Sequence, residues 1–404
     1  MKKEPVMAGL VVVDFTQFFA GPIVTQSLAE LGAEVIKVEF APTGDPGRYL
    51  PLVKNQRSGY FIQQNTGKKS LCVDLKTTEG KRLVLDLIKK ADVLVENYAP
   101  GAIARLGFGW DAVRALNPRL IMCSVSAFGQ SGPLSNMPGF DFTGQAYSGV
   151  ASMVGDSDGA PALIGLALGD CGTGMSALAA VNAALYRREK TGEGAYVEST
   201  LIDFLFRAHE ANVEIHSISK GEIAPHRSGS HSSAYAPVGY FKTQNGYISI
   251  TVPDSHWPRL CQAMAKPELE KDERFATNDT RLKNLSQLVK EIEAWMCSFK
   301  STQDAMATLN QHHIPAAPVL SVAEAMNHPH LIERETVRTL DDPILGTIKI
   351  GGMPIHFMDQ PKHLGGPAPL LGEHNIEILK THLGLDQARI KKLEHESILH
   401  SSHG

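Results

Sequence analysis

Short β-branched apolar runs alternate with helically spaced stretches over the first 125 or so residues, and few folds accept that rhythm. Gly9–Asp14 (GLVVVD) reads as a strand buried on both faces, because no polar position interrupts it on either side. Ala20-Gly21-Pro22 then starts a helix with Pro in its first turn, which runs to a Gly32 C-cap before the next strand, Glu34–Glu39. After a loop from Ala41 to Gly59 rich in Pro, Gly and charge, the pattern repeats. Ser70–Asp74 is a strand, Thr78–Lys90 a helix, and Asp92–Glu96 and Arg119–Ser124 are strands. Strand, helix and strand joined by short connections predict an α/β fold with a doubly wound parallel sheet. Ligands of such sheets bind outside the C-terminal ends of the strands, here the segments 14–21, 39–48, 97–105 and 126–132.

The remainder predicts further organisation. Residues 1–219 form a large domain that includes an alanine-rich helix over Ser176–Tyr186, a strand at Ala195–Glu198 and one long helix from Leu201 to Ser219. Residues 220–233, rich in Gly, Ser and His, read as a linker. Residues 234–320 form a smaller α+β domain that opens with a hairpin around Gln244-Asn245-Gly246. Residues 321–404 are a linker and a return to the large domain.

Composition excludes several partners. With 404 residues the chain is long enough for two cores. A formal net charge of −4 offers nucleic acid and anionic membranes no attraction. Lys2-Lys3 before Val6–Val13 imitates a secretory signal, but Glu4, Pro5 and Asp14 break it. No stretch reaches the ~18 apolar residues of a membrane span. Five cysteines without paired or metal-like spacing suit a reducing cytoplasm.

Familiar chemical motifs are missing. No strand is followed by G-x-G-x-x-G, and Thr66-Gly67-Lys68-Lys69-Ser70 lacks the earlier glycine of a phosphate loop. There is no G-x-S-x-G elbow, and the 16 histidines form no metal-binding pattern, so no metal is expected. Lys68, Lys69 and Arg105 either meet phosphates or are solvated surface charges.

What stands out is Gly169-Asp170-Cys171-Gly172-Thr173-Gly174-Met175, a carboxylate on a glycine-rich turn at the start of a long helix. Asp170 is either an N-cap or a nucleophile whose neighbourhood a ligand can approach closely. Asp141 likewise either caps the helix that follows it or holds Asp170 by hydrogen bonds.

Taken together, Asp14-Phe-Thr, Ala20-Gly21-Pro22, Leu31-Gly-Ala-Glu-Val-Ile-Lys-Val-Glu39, Gly44-Asp45, Lys68-Lys-Ser-Leu, Val95-Glu-Asn-Tyr-Ala-Pro-Gly101, Arg105-Leu-Gly107, Leu168-Gly169-Asp170 and Leu371-Gly-Glu-His374 carry a resemblance. The chain resembles the class III (CaiB/BaiF) CoA-transferases over nearly its whole length. That resemblance implies a Rossmann-like large domain built from both chain ends, a small middle domain and an interlocked homodimer. It implies Asp170 as the nucleophile, supported by Asp141, Gly169 and Gly172. The carboxylate forms an acyl-aspartyl anhydride and then an aspartyl-CoA thioester. Contacts to CoA fall on Ala20, Lys68, Asn97, Tyr98 and Arg105, with an acyl-CoA donor, a carboxylic acid acceptor and no cofactor beyond CoA.

The chain departs from the oxalate-using subgroup at Phe19 and Phe40, where that subgroup has Gln and Arg, and in lacking its run of four glycines, whose place His226–Ser233 takes. The expected acceptor is therefore a small dicarboxylate such as succinate, with Arg227 or His231 at its distal carboxylate. Two other readings stay open. α-Methylacyl-CoA racemases place a histidine where this chain has Phe140, and a non-catalytic CoA-binding subunit of a heteromeric transferase would lack the nucleophile.

Overall fold

The β-branched runs form the strands they predict. In the structure, a computed structural model describing residues 4–359 and 365–402, six parallel strands make the main sheet. They are β1 (Val11–Asp14), β2 (Glu34–Phe40), β3 (Lys69–Val73), β4 (Val93–Glu96), β5 (Ile121–Ser126) and β6 (Ala195–Thr200), paired in the order β3-β2-β1-β4-β5-β6. The order reverses between β1 and β4, which opens a crevice above their C-terminal ends. Helices α1 (Ala20–Glu30), α2 (Gly59–Asn65), α3 (Thr78–Ile88), α4 (Ala102–Leu106), α5 (Trp110–Leu116), α6 (Asp141–Tyr147), α7 (Leu168–Thr191) and α8 (Leu201–Arg207) belong to the same body. Lys2 and Lys3, the basic start of the apparent signal, lie outside the described residues.

Contacts divide the chain into two compact units, residues 1–148, 165–210 and 329–404 against residues 149–164 and 211–328. This differs from the expected boundaries. The stretch 220–233 is part of the second unit, because Gly229 N–H donates to Gly155 O (3.0 Å) and Ser232 N–H to Val238 O (2.9 Å). The single helix expected over 201–219 is broken. It comprises α8 and α9 (Asn212–Ile218), with Glu210 at φ +53° where the chain leaves the first unit.

In the second unit, β7 (Val238–Thr243), β8 (Gly246–Thr251) and β9 (Ala316–Pro318) form an antiparallel sheet with β8 central. Gly246 pairs with Thr243, so Gln244 and Asn245 make the turn and Gly246 opens the returning strand at φ +140°. α10 (Trp257–Ala263), α11 (Asn278–Lys283), α12 (Leu285–Cys297) and α13 (Thr302–Gln311) accompany it, and Phe241, Ile250, Leu260, Ile292 and Leu309 share its core.

The chain then returns to the first unit as the hairpin β10 (Val337–Asp342) and β11 (Gly346–Gly351), followed by α14 (Asn375–Leu383) and α15 (Gln387–His395). Both sheet faces are covered. Val12, Val35, Val93 and Ile121 pack with Val24 and Leu28 of α1 and Leu178 and Val181 of α7. Val13, Ile36, Leu71 and Leu94 pack with Leu83 and Leu87 of α3, Leu379 of α14 and Leu393 of α15. Residues that alternate along a strand thus serve opposite cores. Beyond α15 the chain runs antiparallel to the edge strand β3, with Val73 bridging Leu399 and His400 N–H donating to Cys72 O (3.1 Å).

A buried ionic network ties the strand ends together. The Asp14 carboxylate accepts from Lys68 Nζ (2.9 Å), Thr25 Oγ1 (2.8 Å) and Thr16 N–H (2.7 Å). Lys37 Nζ pairs with Asp45 (2.9 Å) and donates to Thr16 O (2.6 Å), while Arg48 grips Glu39 through Nε (2.8 Å) and Nη2 (2.6 Å). Burial works to raise the Asp14 pKa, but Lys68 and Lys37 outweigh it and hold the carboxyl below its ordinary range. Removing one partner of such a buried pair strands a charge. Lys68→Met is expected to lower stability by about 3–5 kcal/mol at neutral pH in a denaturant titration. The deficit should shrink as pH falls through the ordinary carboxylate range and the stranded Asp14 is neutralised. A loss under about 1 kcal/mol would show that the pair contributes little.

Candidate functional site

Asp170 is the third residue of α7, so the glycines read as a turn are instead helical, and Ala167 occupies the N-cap without a side-chain bond. Each glycine admits a close neighbour. A Cβ on Gly169 would lie 2.8 Å from Leu205 Cδ1 and 3.0 Å from Asp141 Oδ2, one on Gly172 would lie 1.9 Å from the Phe204 ring, and one on Gly174 would lie 2.7 Å from Ala20 O. The run is explained first by packing of α7 against α8, α6 and α1. Asp141 does cap a helix, though not its own. Its Oδ2 accepts the backbone N–H of Asp170 (2.8 Å), supplying to α7 the acceptor that Ala167 lacks, and its Oδ1 accepts from Gln145 Nε2. The two carboxylates are thereby held side by side. Burial, and after it the Asp141 charge, push the Asp170 carboxyl up to about 7.

Asp170 lines a cleft of about 320 Å³. The other walls come from the loop after β1 (Phe18, Phe19), the loop after β4 (Asn97, Tyr98) and the segments after β5 (Phe128, Phe140). The cleft therefore occupies the crevice that the strand order opens. Phe18 holds a left-handed φ of +63°, rare for a side chain of its size, with its N–H 3.5 Å from Asp45 Oδ1. Phe19 precedes α1 and meets the Tyr60 ring at 6.1 Å. Burial, Asp170 and Asp45 push the Tyr60 hydroxyl up to about 12.

The residues expected at CoA separate into three groups. Ala20, Asn97 and Tyr98 line the cleft. Asn97 clamps the loop after β1, its Oδ1 accepting Gln17 N–H (2.8 Å) and its Nδ2 donating to Gln17 O (2.8 Å). The Tyr98 hydroxyl is buried without a hydrogen-bond partner. Its N–H donates to Glu96 Oε2 (2.9 Å), whose own carboxyl burial pushes up to about 7. Arg105 is exposed on a second depression of about 490 Å³, where Phe40 and Leu106 also face, and the two cavities share Gln17, Tyr98 and Ala99. Lys68 corrects both of its readings. It is fully buried on Asp14 and Asn65 (2.9 Å each), so in this structure it supports β1 from within and reaches neither solvent nor either cavity. Its neighbour Lys69 pairs with Glu34 and Glu377 (2.7 Å each).

Arg227 and His231 belong to the second unit. Arg227 Nε donates to Asp156 O (2.9 Å) and Gly159 O (3.1 Å), and Nη2 also donates to Gly159 O. His231 packs edge-on against Phe241 at 4.8 Å, and burial lowers its pKa. The reading from sequence missed Phe18 and Tyr60 as site neighbours. Phe18 carried a faint signal, an aromatic in a loop beyond a buried strand, whereas Tyr60 carried none. Among the described residues no group of three His, Cys, Asp or Glu is placed to hold a metal ion, and no helix is long and apolar enough to cross a membrane.

Comparisons with known proteins place the chain in a family. The family model of CoA-transferase family III matches residues 7–375. The chain is 35% identical over 410 residues to formyl-CoA:oxalate CoA-transferase of Streptomyces avermitilis, spanning 97% of this chain and 99% of that protein. It is 36% identical over 379 residues to succinyl-CoA:mesaconate CoA-transferase of Haloarcula hispanica, spanning 91% and 94%. The solved structure of a CaiB/BaiF family protein from Brucella suis matches with a TM-score of 0.83 at 32% identity, over 94% of this chain and all of that one. On the strength of matches that run nearly end to end, the chain belongs to CoA-transferase family III, the CaiB/BaiF enzymes.

Proposed function

We propose that this enzyme moves CoA from an acyl-CoA donor, such as succinyl-CoA, to a small carboxylic acid with Asp170 as the covalent carrier. One observation carries the reading: a carboxylate on the first turn of α7, desolvated to a pKa of about 7, faces a cleft at the sheet's switch point. An Asp170 oxygen attacks the thioester carbonyl, the C–S bond breaks and CoA thiolate leaves, giving a mixed anhydride. The thiolate then attacks the Asp170 carbonyl of that anhydride, which releases the donor carboxylate and forms an aspartyl-CoA thioester. The acceptor carboxylate attacks this thioester to expel the thiolate, and the thiolate takes the new acyl group, restoring Asp170. A carboxylate suits the task because its anhydride and thioester both remain activated, whereas an ester or amide would be a sink. Loss of solvation strengthens the nucleophile, and exclusion of water protects the intermediates.

The two neighbouring cavities support a path for CoA, with Arg105 and Phe40 at the nucleotide end and Ala20, Asn97 and Tyr98 along the pantetheine. Cys72, Cys123 and Cys261 are buried free thiols, which fits a reducing cytoplasm. An interlocked homodimer is the proposed working form, supported by Leu163, Leu166 and Ile218, which are each more than half exposed in the single chain. A monomeric mass by light scattering would sink that assignment. The dicarboxylate acceptor is supported by the relatives rather than by Arg227. The bonds of Arg227 to the loop at Asp156 and Gly159 occupy two of its nitrogens, leaving the named relative acting on mesaconate as the main argument.

The racemase reading needs a proton carrier where Phe140 lines the cleft, and the non-catalytic subunit has no use for Asp170. Asp170→Ala should reduce CoA transfer at least about a thousandfold. Hydroxylamine added during turnover should leave a hydroxamate at residue 170 by mass spectrometry, and its absence with every donor would overturn the mechanism. Because only ionised Asp170 attacks, kcat/KM for the donor should rise about tenfold per pH unit below about 7 and level off above it. Asp141→Asn removes the like charge while keeping an acceptor for the Asp170 N–H. It should move that limb to lower pH by up to about one unit, with burial sustaining the rest of the shift.

A further inference from the structure

We infer that Glu96 is a positioning residue for CoA, its carboxylate fixing the short loop that joins β4 to α4 and so setting Arg105 for the nucleotide. The inference rests on the proposed path of CoA and adds the group that holds one side of that path in place.

Buried carboxylates elsewhere in the chain meet a cation. Asp14 has Lys68, Glu30 has Arg338, Glu39 has Arg48, Asp45 has Lys37 and Asp342 has Arg57. Among the described residues the buried carboxylates without an ion pair are Asp141, which holds the Asp170 N–H, and Glu96. A charge kept in the interior without a counter-charge is costly unless hydrogen bonds hold it. Glu96 is 1% exposed at the end of β4, enclosed by its own chain, so its surroundings do not wait for a second protomer. Its Oε2 accepts the Tyr98 N–H (2.9 Å), and the Ser124 hydroxyl of β5 bonds to the same carboxylate. Behind Ser124 stands Tyr196 of β6, its hydroxyl 3.0 Å from Ser124 Oγ and its ring stacked on Trp110 of α5 at 5.6 Å. The carboxylate is braced from two strands and a helix, and it passes that rigidity to one backbone N–H of the loop. A bond to an ionised acceptor is about twice as strong as one between neutral groups.

The segment held in this way is stiff. Ala99, Pro100 and Gly101 alone separate Tyr98 from α4, with the proline φ locked by its ring and Gly101 at φ +78°. Ala102 N–H donates to Ala99 O (2.9 Å) and Arg105 N–H to Gly101 O (3.0 Å). The Arg105 side chain folds back over the loop, since a Cβ on Gly101 would lie 3.0 Å from its Nη1. Movement of the Tyr98 backbone therefore moves Arg105.

The test measures the Kd of CoA by calorimetry on the full-length enzyme, as wild type, Glu96→Gln, Arg105→Ala and the double variant. Glu96→Gln keeps the shape and an acceptor for the Tyr98 N–H while removing the charge. It should weaken CoA by about tenfold in the wild-type background and by less than about threefold once Arg105 is gone, because the two act as one unit. Ser124→Ala, which removes one brace, should weaken CoA in the same direction by about threefold and supplies the reading should Glu96→Gln fail to fold. An unchanged Kd in Glu96→Gln, or the same loss with and without Arg105, overturns the inference. If Arg105→Ala by itself weakens CoA in those cases, the proposed path stands without Glu96. If Arg105→Ala leaves the Kd unchanged, the path falls and the inference falls with it.

Discussion

The ion pair between Asp14 and Lys68 is the interaction on which the site depends. Asp14 ends β1 at the switch point, and its two oxygens hold the turn at Thr16, α1 at Thr25 and the Lys68 ammonium. Lys37 from β2 joins through Thr16 O, and Asp45 connects Lys37 to the loop that Glu39 and Arg48 hold. A hydrophobic core fixes strands to helices without fixing where a loop points. Directional, buried charges do fix it, at the cost of desolvation that only a fully partnered set offsets. The backbone from Phe15 to Phe19 is aimed at the cleft because the charges beneath it have few alternative arrangements.

A second pairing works by opposite logic. Asp141 and Asp170 are like charges brought together by a backbone hydrogen bond, made possible because Gly169 has no Cβ to separate them. The first pair stabilises charge, while the second adds to burial in raising the free energy of the Asp170 carboxylate. Both sit on the side of the parallel sheet where its strands end, and the helix that carries Asp170 is anchored by Leu178 and Val181 in the core.

How much of this was legible in the residues follows from the range of the forces involved. The strand runs of the main sheet were readable because two-sided burial writes itself into consecutive Val and Ile residues. Asp170 was readable as the start of a long helix, yet the glycine run was misread as a turn, since glycines that admit Phe204 and Ala20 look the same in sequence as glycines that bend a chain. Lys68 was misplaced for a related reason. A lysine next to a strand is usually solvated, and only the third dimension brings it against Asp14, 54 residues away. The break after α8 depends on a positive φ at Glu210, which local propensity does not announce. Tyr60 meets Phe19 of the cleft and feels the Asp170 charge, a neighbourhood that no local pattern in the sequence announces.

The antiparallel seam along β3 has a consequence for biogenesis. Cys72 N–H finds its acceptor in Asn375, 303 positions further on, and the strand's outer edge is covered by residues 372–375 and by those that follow α15. A polypeptide leaving the ribosome N-terminus first thus carries an open, apolar sheet margin through most of its synthesis. The hairpin β7–β8, whose pairings are local, closes long before that margin does. Translation time is therefore a period of exposure for this protein, and a chaperone that shields β3 acts on the segment that waits longest for its partner.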